Sequence, residues 1–125
     1  MLYTTYLSNM KNVPDDCLKL IITRFPPKWF NANKYPLTYI IKELSPSKEL
    51  LLKYKQNNNW DWYVKSFKEE MNNRQDMKYA LKELEGLLNN NQDVCLVCYE
   101  KDYERCHRSI IGQYFEQKRF KWKEL

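Results

Sequence analysis

The segment VCLVCYEKDYERCHRSIIGQYFEQK, residues 94–118, decides the fold class. It opens with five apolar residues, passes through a short charged loop, and ends in a stretch where apolar residues recur every three or four positions. A continuous apolar run of this length is typical of a strand buried on both faces. The spacing from Arg108 to Lys118 predicts a helix. A buried strand followed by a helix is the unit from which parallel α/β sheets are built.

The rest of the chain continues this alternation of strands and helices. The strand-like segments are residues 2–7, 17–24 and 37–44, of which the last is ambiguous between strand and helix. The helical segments are residues 45–54, opened by Ser45-Pro46, and the amphipathic stretches 60–71 and 77–88. No repeat or linker divides the 125 residues. We therefore expect a single compact α/β domain over residues 1–125, with a mostly parallel sheet and helices on both faces.

Composition excludes several function classes. The chain has only two glycines, Gly86 and Gly112, so it lacks both a phosphate-binding P-loop and a dinucleotide fingerprint. No cofactor is predicted. No apolar stretch is long enough to cross a membrane, and the N-terminus resembles a strand and not a signal peptide. These features predict a cytoplasmic protein with no membrane partner, in which the four cysteines remain reduced.

The net charge of +5 is compatible with anionic partners. Basic residues are densest in the tail Lys118-Arg119-Phe120-Lys121-Trp122-Lys123, which we interpret first as a solvated tail. A contact with the phosphate backbone of a nucleic acid is the alternative interpretation of the same residues.

The cysteine spacing is consistent with a metal site only in part. Cys95 and Cys98 have the separation of a zinc knuckle, but residues three apart on a strand point to opposite faces. We therefore predict that the protein binds no stoichiometric metal. A looser site formed by Cys98, Cys106 and His107 stays open as an alternative.

The start of the last helix carries the residues with the clearest chemistry. A cysteine at a helix N-terminus has a lowered pKa, so Cys106 is a candidate nucleophile and His107 its acid/base partner. The helical phase turns His107 toward the sheet. Glu100 ends the buried strand and is the candidate orienter or base, while Arg24 and Arg108 are the candidate anion-binding groups. All lie at the carboxyl edge expected of a parallel sheet, where α/β proteins bind ligands.

The stretch VCYEKDYERCHRSIIGQY resembles the signature of the domain of unknown function (DUF) 488 family: a strand, then Cys-x-Glu-Lys, an acidic loop, and Cys-His-Arg opening a helix. The segments LYTTYLS, IITRFPPKWF, ELSPSKELLLKYK and WDWYVKSFKEEM follow the order found in that family, so the resemblance covers nearly the whole chain. It implies a compact α/β domain but no particular reaction. The positions it marks are Cys98, Glu100, Cys106, His107 and Arg108, together with Arg24 and Tyr63.

These observations favour an enzyme, a Cys/His-dependent hydrolase or transferase, that binds a small anionic ligand bearing phosphate or resembling a nucleotide. Cys98, Tyr6, Tyr63 and Trp29 complete the candidate pocket. The spacing Cys-x5-Arg of cysteine phosphatases is absent. The alternatives are a nucleic-acid binding module and a thiol redox or metal-sensing protein that uses Cys98 and Cys106.

Overall fold

A computed structural model describes all residues, 1–125. Five strands form one sheet in the order β3-β2-β4-β1-β5, and every pairing is parallel. The strands are β1 (Leu2–Tyr6), β2 (Leu18–Ile21), β3 (Thr38–Ile40), β4 (Val94–Cys98) and β5 (Trp122–Glu124). The predicted α/β class is confirmed, and the sheet is entirely parallel. The strand β4, which is buried at all five positions, lies at its centre.

Four α-helices connect and flank the strands. They are α1 (Lys48–Asn57), α2 (Trp60–Asn73), α3 (Gln75–Asn89) and α4 (His107–Gln117). Helix α1 begins later than the sequence predicted, because the side chain of Ser47, and not that of Ser45, accepts a hydrogen bond from the Leu50 amide. Ser45 is buried and donates instead to the carbonyl of Lys42 at 2.5 Å. None of these helices combines the length and apolar character needed to cross a bilayer.

The two faces of the sheet are covered differently. Residues of all four helices pack against one face in a single apolar cluster that includes Leu96 and Cys98. The other face, which carries Cys95 and Val97, is covered by the 3₁₀ helix Leu7–Asn12 and by loop aromatics. Helices therefore cover both faces, as predicted: α-helices on one face and a 3₁₀ helix on the other. The connection before β2 is short and contains Pro14, which favours turns over a long helix.

The C-terminal tail is not simply solvated, because it supplies the edge strand β5. This strand pairs with β1, and the Trp122 indole donates a hydrogen bond to the Thr4 hydroxyl at 2.7 Å. The Trp122 ring lies directly over Gly112 of α4, where an added Cβ atom would meet the ring at 2.4 Å. A glycine is required there by this close approach. The tail thereby fixes α4, which carries the candidate site, against the edge of the sheet.

Candidate functional site

The candidate site lies where β2 and β4 end at the same edge of the sheet. Beyond Cys98 the chain forms a charged loop, and Cys106 then serves as the N-cap residue of α4. A cleft of about 350 Å³ opens at this point. Its lining includes the predicted residues Tyr63, Glu100, Cys106 and His107. The carboxyl edge is where parallel sheets place ligands, because loops and helix N-termini converge there.

His107 is fixed in one orientation by the backbone of β2. Its Nε2 lies 2.7 Å from the carbonyl oxygen of Ile22, directly after β2. Since a carbonyl only accepts, Nε2 must carry the hydrogen that it donates. The other nitrogen, Nδ1, lies 3.8 Å from Cys106 Sγ and is the atom able to take the thiol proton. The residue is 5% exposed and its ring packs edge-on against Phe67, so His107 faces the protein interior and not solvent.

Two further groups surround the Cys106 sulfur. The Oε2 atom of Glu100 lies 3.6 Å from it, on the side of the cleft. Cys98 lies on the inner side, with its sulfur 3.8 Å from His107 Nδ1, and is completely buried. Cys106 is 3% exposed and lines the cleft. Of the two thiols, Cys106 is therefore the one that a ligand in the cleft meets.

These contacts favour a thiolate and imidazolium pair. Burial by itself would raise the pKa of Cys106, but a hydrogen bond from Cys98 and the positive charge of His107 outweigh it, and the pKa falls well below its usual value. Burial would likewise lower the pKa of His107, yet the negative charge of Cys106 and the hydrogen bonds to Cys106 and Ile22 raise it. Each partner stabilises the charged form of the other.

Three further groups around the Cys106 sulfur have raised pKa values, which shift each of them toward its neutral form. Desolvation around its carboxyl group, followed by the negative charge of Cys106, raises the pKa of Glu100 even though the residue as a whole is exposed. Burial raises the pKa of Cys98 well above that of an ordinary thiol. Burial also raises the pKa of Tyr63, with a smaller contribution from Cys106. Glu100, Cys98 and Tyr63 can thus each donate a hydrogen near one negative sulfur.

Arg108 does not face the cleft. Its guanidinium is 0% exposed and donates to both carboxylate oxygens of Glu124, at 3.0 Å each. It also donates to the carbonyl oxygens of Glu100 and Lys101, at 2.6 and 3.1 Å. The structure therefore gives Arg108 a different place from the predicted anion clamp. Its side chain ties the loop after β4 to β5, because the carboxylate of Glu124 supplies the charge that a buried guanidinium needs.

Three other predicted site residues lie apart from the cleft. Arg24 points toward the segment before α1, where it donates to the carbonyls of Pro46 and Lys42 at 2.5 and 3.4 Å. The predicted convergence of Arg24 with Arg108 is thus not formed. Tyr6 ends β1 opposite Cys98 but does not line the cleft. Trp29 is 61% exposed and packs edge-on against Phe30.

The cleft contains residues that the sequence analysis did not single out. Lys55 and Arg105 are exposed, line the cleft and form no ion pair. The hydroxyl of Thr23 is buried in the cleft wall without a hydrogen-bond partner. Lys55 lies in the last turn of α1, and no spacing in the sequence connects it to Cys106. Arg105 was recognisable, since it directly precedes the Cys-His-Arg motif.

Three side chains of the site could also hold a metal ion. The ligand atoms of Cys98, Cys106 and His107 all lie within 4.8 Å of one another, and all three residues are buried. Cys95 lies on the opposite face of the sheet and cannot join them. Two thiols and one imidazole suit a soft ion such as zinc, with a fourth position left for another ligand.

Comparison with known proteins places the chain in a family. A family model described as the Active DUF488-N3 subclade (DUF488-N3a) matches residues 2–119. No significant match is found among curated proteins or among solved structures. The matched range runs from β1 through the end of α4 and so includes every residue of the cleft. The chain belongs to the DUF488 family.

Proposed function

We propose that the protein is an enzyme, a hydrolase or transferase, in which the Cys106 thiolate is the nucleophile. The observation that carries this proposal is the meeting of Cys106 Sγ with His107 Nδ1 and Glu100 Oε2, at 3.8 and 3.6 Å, beside a cleft. A nucleophile, a proton acceptor and a second acid/base group within this range are the parts of covalent catalysis. The description of the matching subclade as active supports the same conclusion.

The two acid/base groups have separate roles in this proposal. His107 is held between Ile22 and Cys106, so it stores the proton taken from the thiol and keeps the thiolate charged. Glu100 reaches the cleft, and its raised pKa favours the protonated form that can protonate a leaving group. After the thiolate displaces that group, the Glu100 carboxylate takes a proton from the water or acceptor that releases the product.

The ligand that fits this cleft is small and anionic, of the phosphate-bearing or nucleotide-like class. The cations available to it are Lys55 and Arg105, which replace Arg24 and Arg108 in that role. Tyr54 and Tyr63, whose ring centres lie 4.7 Å apart, form an aromatic part of the cleft wall. The unpartnered hydroxyl of Thr23 supports a polar ligand, because a buried hydroxyl without a partner is costly.

Charge-selective alkylation tests this proposal. At low salt we expect Cys106 to prefer negatively charged iodoacetate over neutral iodoacetamide about tenfold more than a free cysteine does. The two nearby cations, at roughly 0.7 kcal/mol each, together supply the roughly 1.4 kcal/mol that a tenfold change requires. The double variant Lys55→Gln/Arg105→Gln should lose this preference. The control Lys48→Gln/Lys53→Gln, which removes the same charge from α1 outside the cleft, should keep it. Equal preferences in the wild type and the cleft variant would contradict the anionic ligand.

The second candidate function is a thiol metal centre, favoured by the Cys98, Cys106 and His107 cluster. The enzyme proposal requires the lone pairs of Cys106 to be free, so we expect purified protein to contain far less than one zinc or copper per chain. Elemental analysis after dialysis against a chelator measures this. One metal ion retained per chain, and lost in Cys98→Ala, would favour the metal centre over the enzyme.

A further inference from the structure

A second and larger concave surface lies away from the candidate active site, between α2, α3 and α4. This groove has a volume of about 610 Å³. Its walls carry lysines and side-chain amides, and the lining is Lys68, Met71, Asn72, Lys78, Leu81, Lys82, Glu85, Ile110, Gln113, Tyr114, Gln117 and Lys118. It shares no residue with the cleft of Cys106.

The charge of the groove is strongly unbalanced. Four lysines line it against a single carboxylate, that of Glu85, which lies 3.4 Å from the ammonium of Lys118. Lys68, Lys78 and Lys82 are exposed and form no ion pair. Cations that line one concave surface without counter-charges produce a positive potential that concentrates anions.

The apolar side chains that line the groove are largely buried or covered. Its apolar floor is nearly closed, since Met71, Leu81 and Ile110 are 7%, 5% and 4% exposed. The Tyr114 ring is covered by the Lys118 ammonium, 5.2 Å from its centre, so it is not free to stack on a base. The charged and polar groups of the lining therefore offer a partner more contacts than its apolar side chains do. This disfavours an acidic polypeptide, which generally adds apolar anchors to its carboxylates.

The positive surface extends beyond the groove. Lys118 leads directly into Arg119, Lys121 and Lys123, which are all exposed. Lys78 and Lys82 lie one helical turn apart on α3, a separation of about 6 Å along the axis. A track of cations longer than the groove fits a polymer that carries a charge on every unit, and a groove of about 610 Å³ suits one strand better than a duplex.

We propose that the groove between α2, α3 and α4 binds the phosphate backbone of a single-stranded nucleic acid without reading its sequence. The lysines contact phosphates as point charges, and the amides of Asn72, Gln113 and Gln117 hydrogen-bond to the same backbone. Binding of this kind releases counterions, so its affinity falls with salt by a slope of about 0.7 per contacted phosphate.

Fluorescence anisotropy with a labelled 20-nucleotide oligo(dT) tests the proposal on the full chain. We expect binding at low salt that weakens as salt rises, with the same affinity for a mixed sequence of equal length. Lys78→Gln/Lys82→Gln should weaken binding at least tenfold and reduce the salt slope by about 1.4, two phosphates at 0.7 each. The control Lys11→Gln/Lys28→Gln removes the same charge elsewhere and should bind as the wild type does.

Several results would overturn the proposal. One is the absence of binding at low salt, and another is equal weakening of binding in the groove variant and the control variant. A third is displacement of the bound strand by polyglutamate at the same charge concentration at which oligo(dT) displaces it. A fourth is tighter binding of a duplex than of the single strand. Alkylation of Cys106 serves as the independent readout for the other site. It should be unchanged in Lys78→Gln/Lys82→Gln, so a failure of the groove and a failure of the proposed enzyme are distinguishable.

Discussion

Iodoacetamide at pH 7 will modify Cys106 at least about a hundredfold faster than Cys17 or Cys95, because an ordinary thiol with a pKa of 9 is only about 1% ionised at that pH. Cys106 is paired with His107 and accepts a hydrogen bond from Cys98, which together lower its pKa well below 9.0. Burial raises the pKa of Cys17 to about 11, and burial also raises that of Cys95. Mass mapping of the modified cysteines against time measures all the rates in one sample.

The pH dependence of the Cys106 alkylation rate shows whether the pKa of this thiol is lowered. A lowered pKa means that the thiolate is already formed at neutral pH, so the Cys106 rate should be nearly constant from pH 7 to 9 and should fall only in acid. His107→Gln keeps a donor for the Ile22 carbonyl but removes the positive charge. In that variant the pKa of Cys106 should rise, and its rate should increase steeply through the alkaline range.

Two controls make this result specific. Cys17→Ala removes a thiol on the opposite face and should leave the Cys106 profile unchanged. Cys98→Ala removes the hydrogen bond to the thiolate and should shift the profile toward alkaline pH, in the same direction as His107→Gln. A wild-type profile with the midpoint of an ordinary thiol, or faster modification of Cys98 than of Cys106, would refute the assignment of the nucleophile.

The central strand and the helix after it were predictable because their patterns are local. Five apolar residues at 94–98 identify a buried strand, and the helical phase of residues 107–117 is enough to turn His107 inward. Since parallel strands end at a common edge, the sequence also predicts that Glu100 and Cys106 lie at the end where β2 finishes. These statements need only periodicity and the direction of the chain.

The partners of the two arginines were not predictable in this way. Strand β5 has three residues, lies in a basic tail and shows no clear alternation, so nothing local identifies Glu124 as the partner of Arg108. Its place follows from pairing with β1, a contact between the two ends of the chain. Arg24 follows β2 as expected, but its direction depends on carbonyls of the segment before α1, at Lys42 and Pro46. A sequence pattern contains no information on such backbone acceptors.

The buried ion pair of Arg108 with Glu124 leads to the largest expected loss of stability. Glu124→Ala leaves the guanidinium buried without its counter-charge, which costs about 3–5 kcal/mol of the free energy of unfolding. Glu85→Ala is the control, because the pair of Glu85 with Lys118 is exposed and is worth about 1 kcal/mol or less. Urea unfolding, followed by circular dichroism, measures both.

A further variant separates lost charge from lost packing. Replacing both partners, as in Arg108→Met/Glu124→Leu, removes the buried charges together and should be more stable than Glu124→Ala alone. Arg108 also holds the carbonyl oxygens of Glu100 and Lys101, so the double variant should free the loop that places the Glu100 carboxyl beside Cys106. The pKa of Cys106 depends chiefly on His107 and Cys98, and its alkylation should therefore remain fast. A double variant as unstable as Glu124→Ala would show that the hydrogen bonds to the loop, and not the ion pair, hold this end of the sheet together.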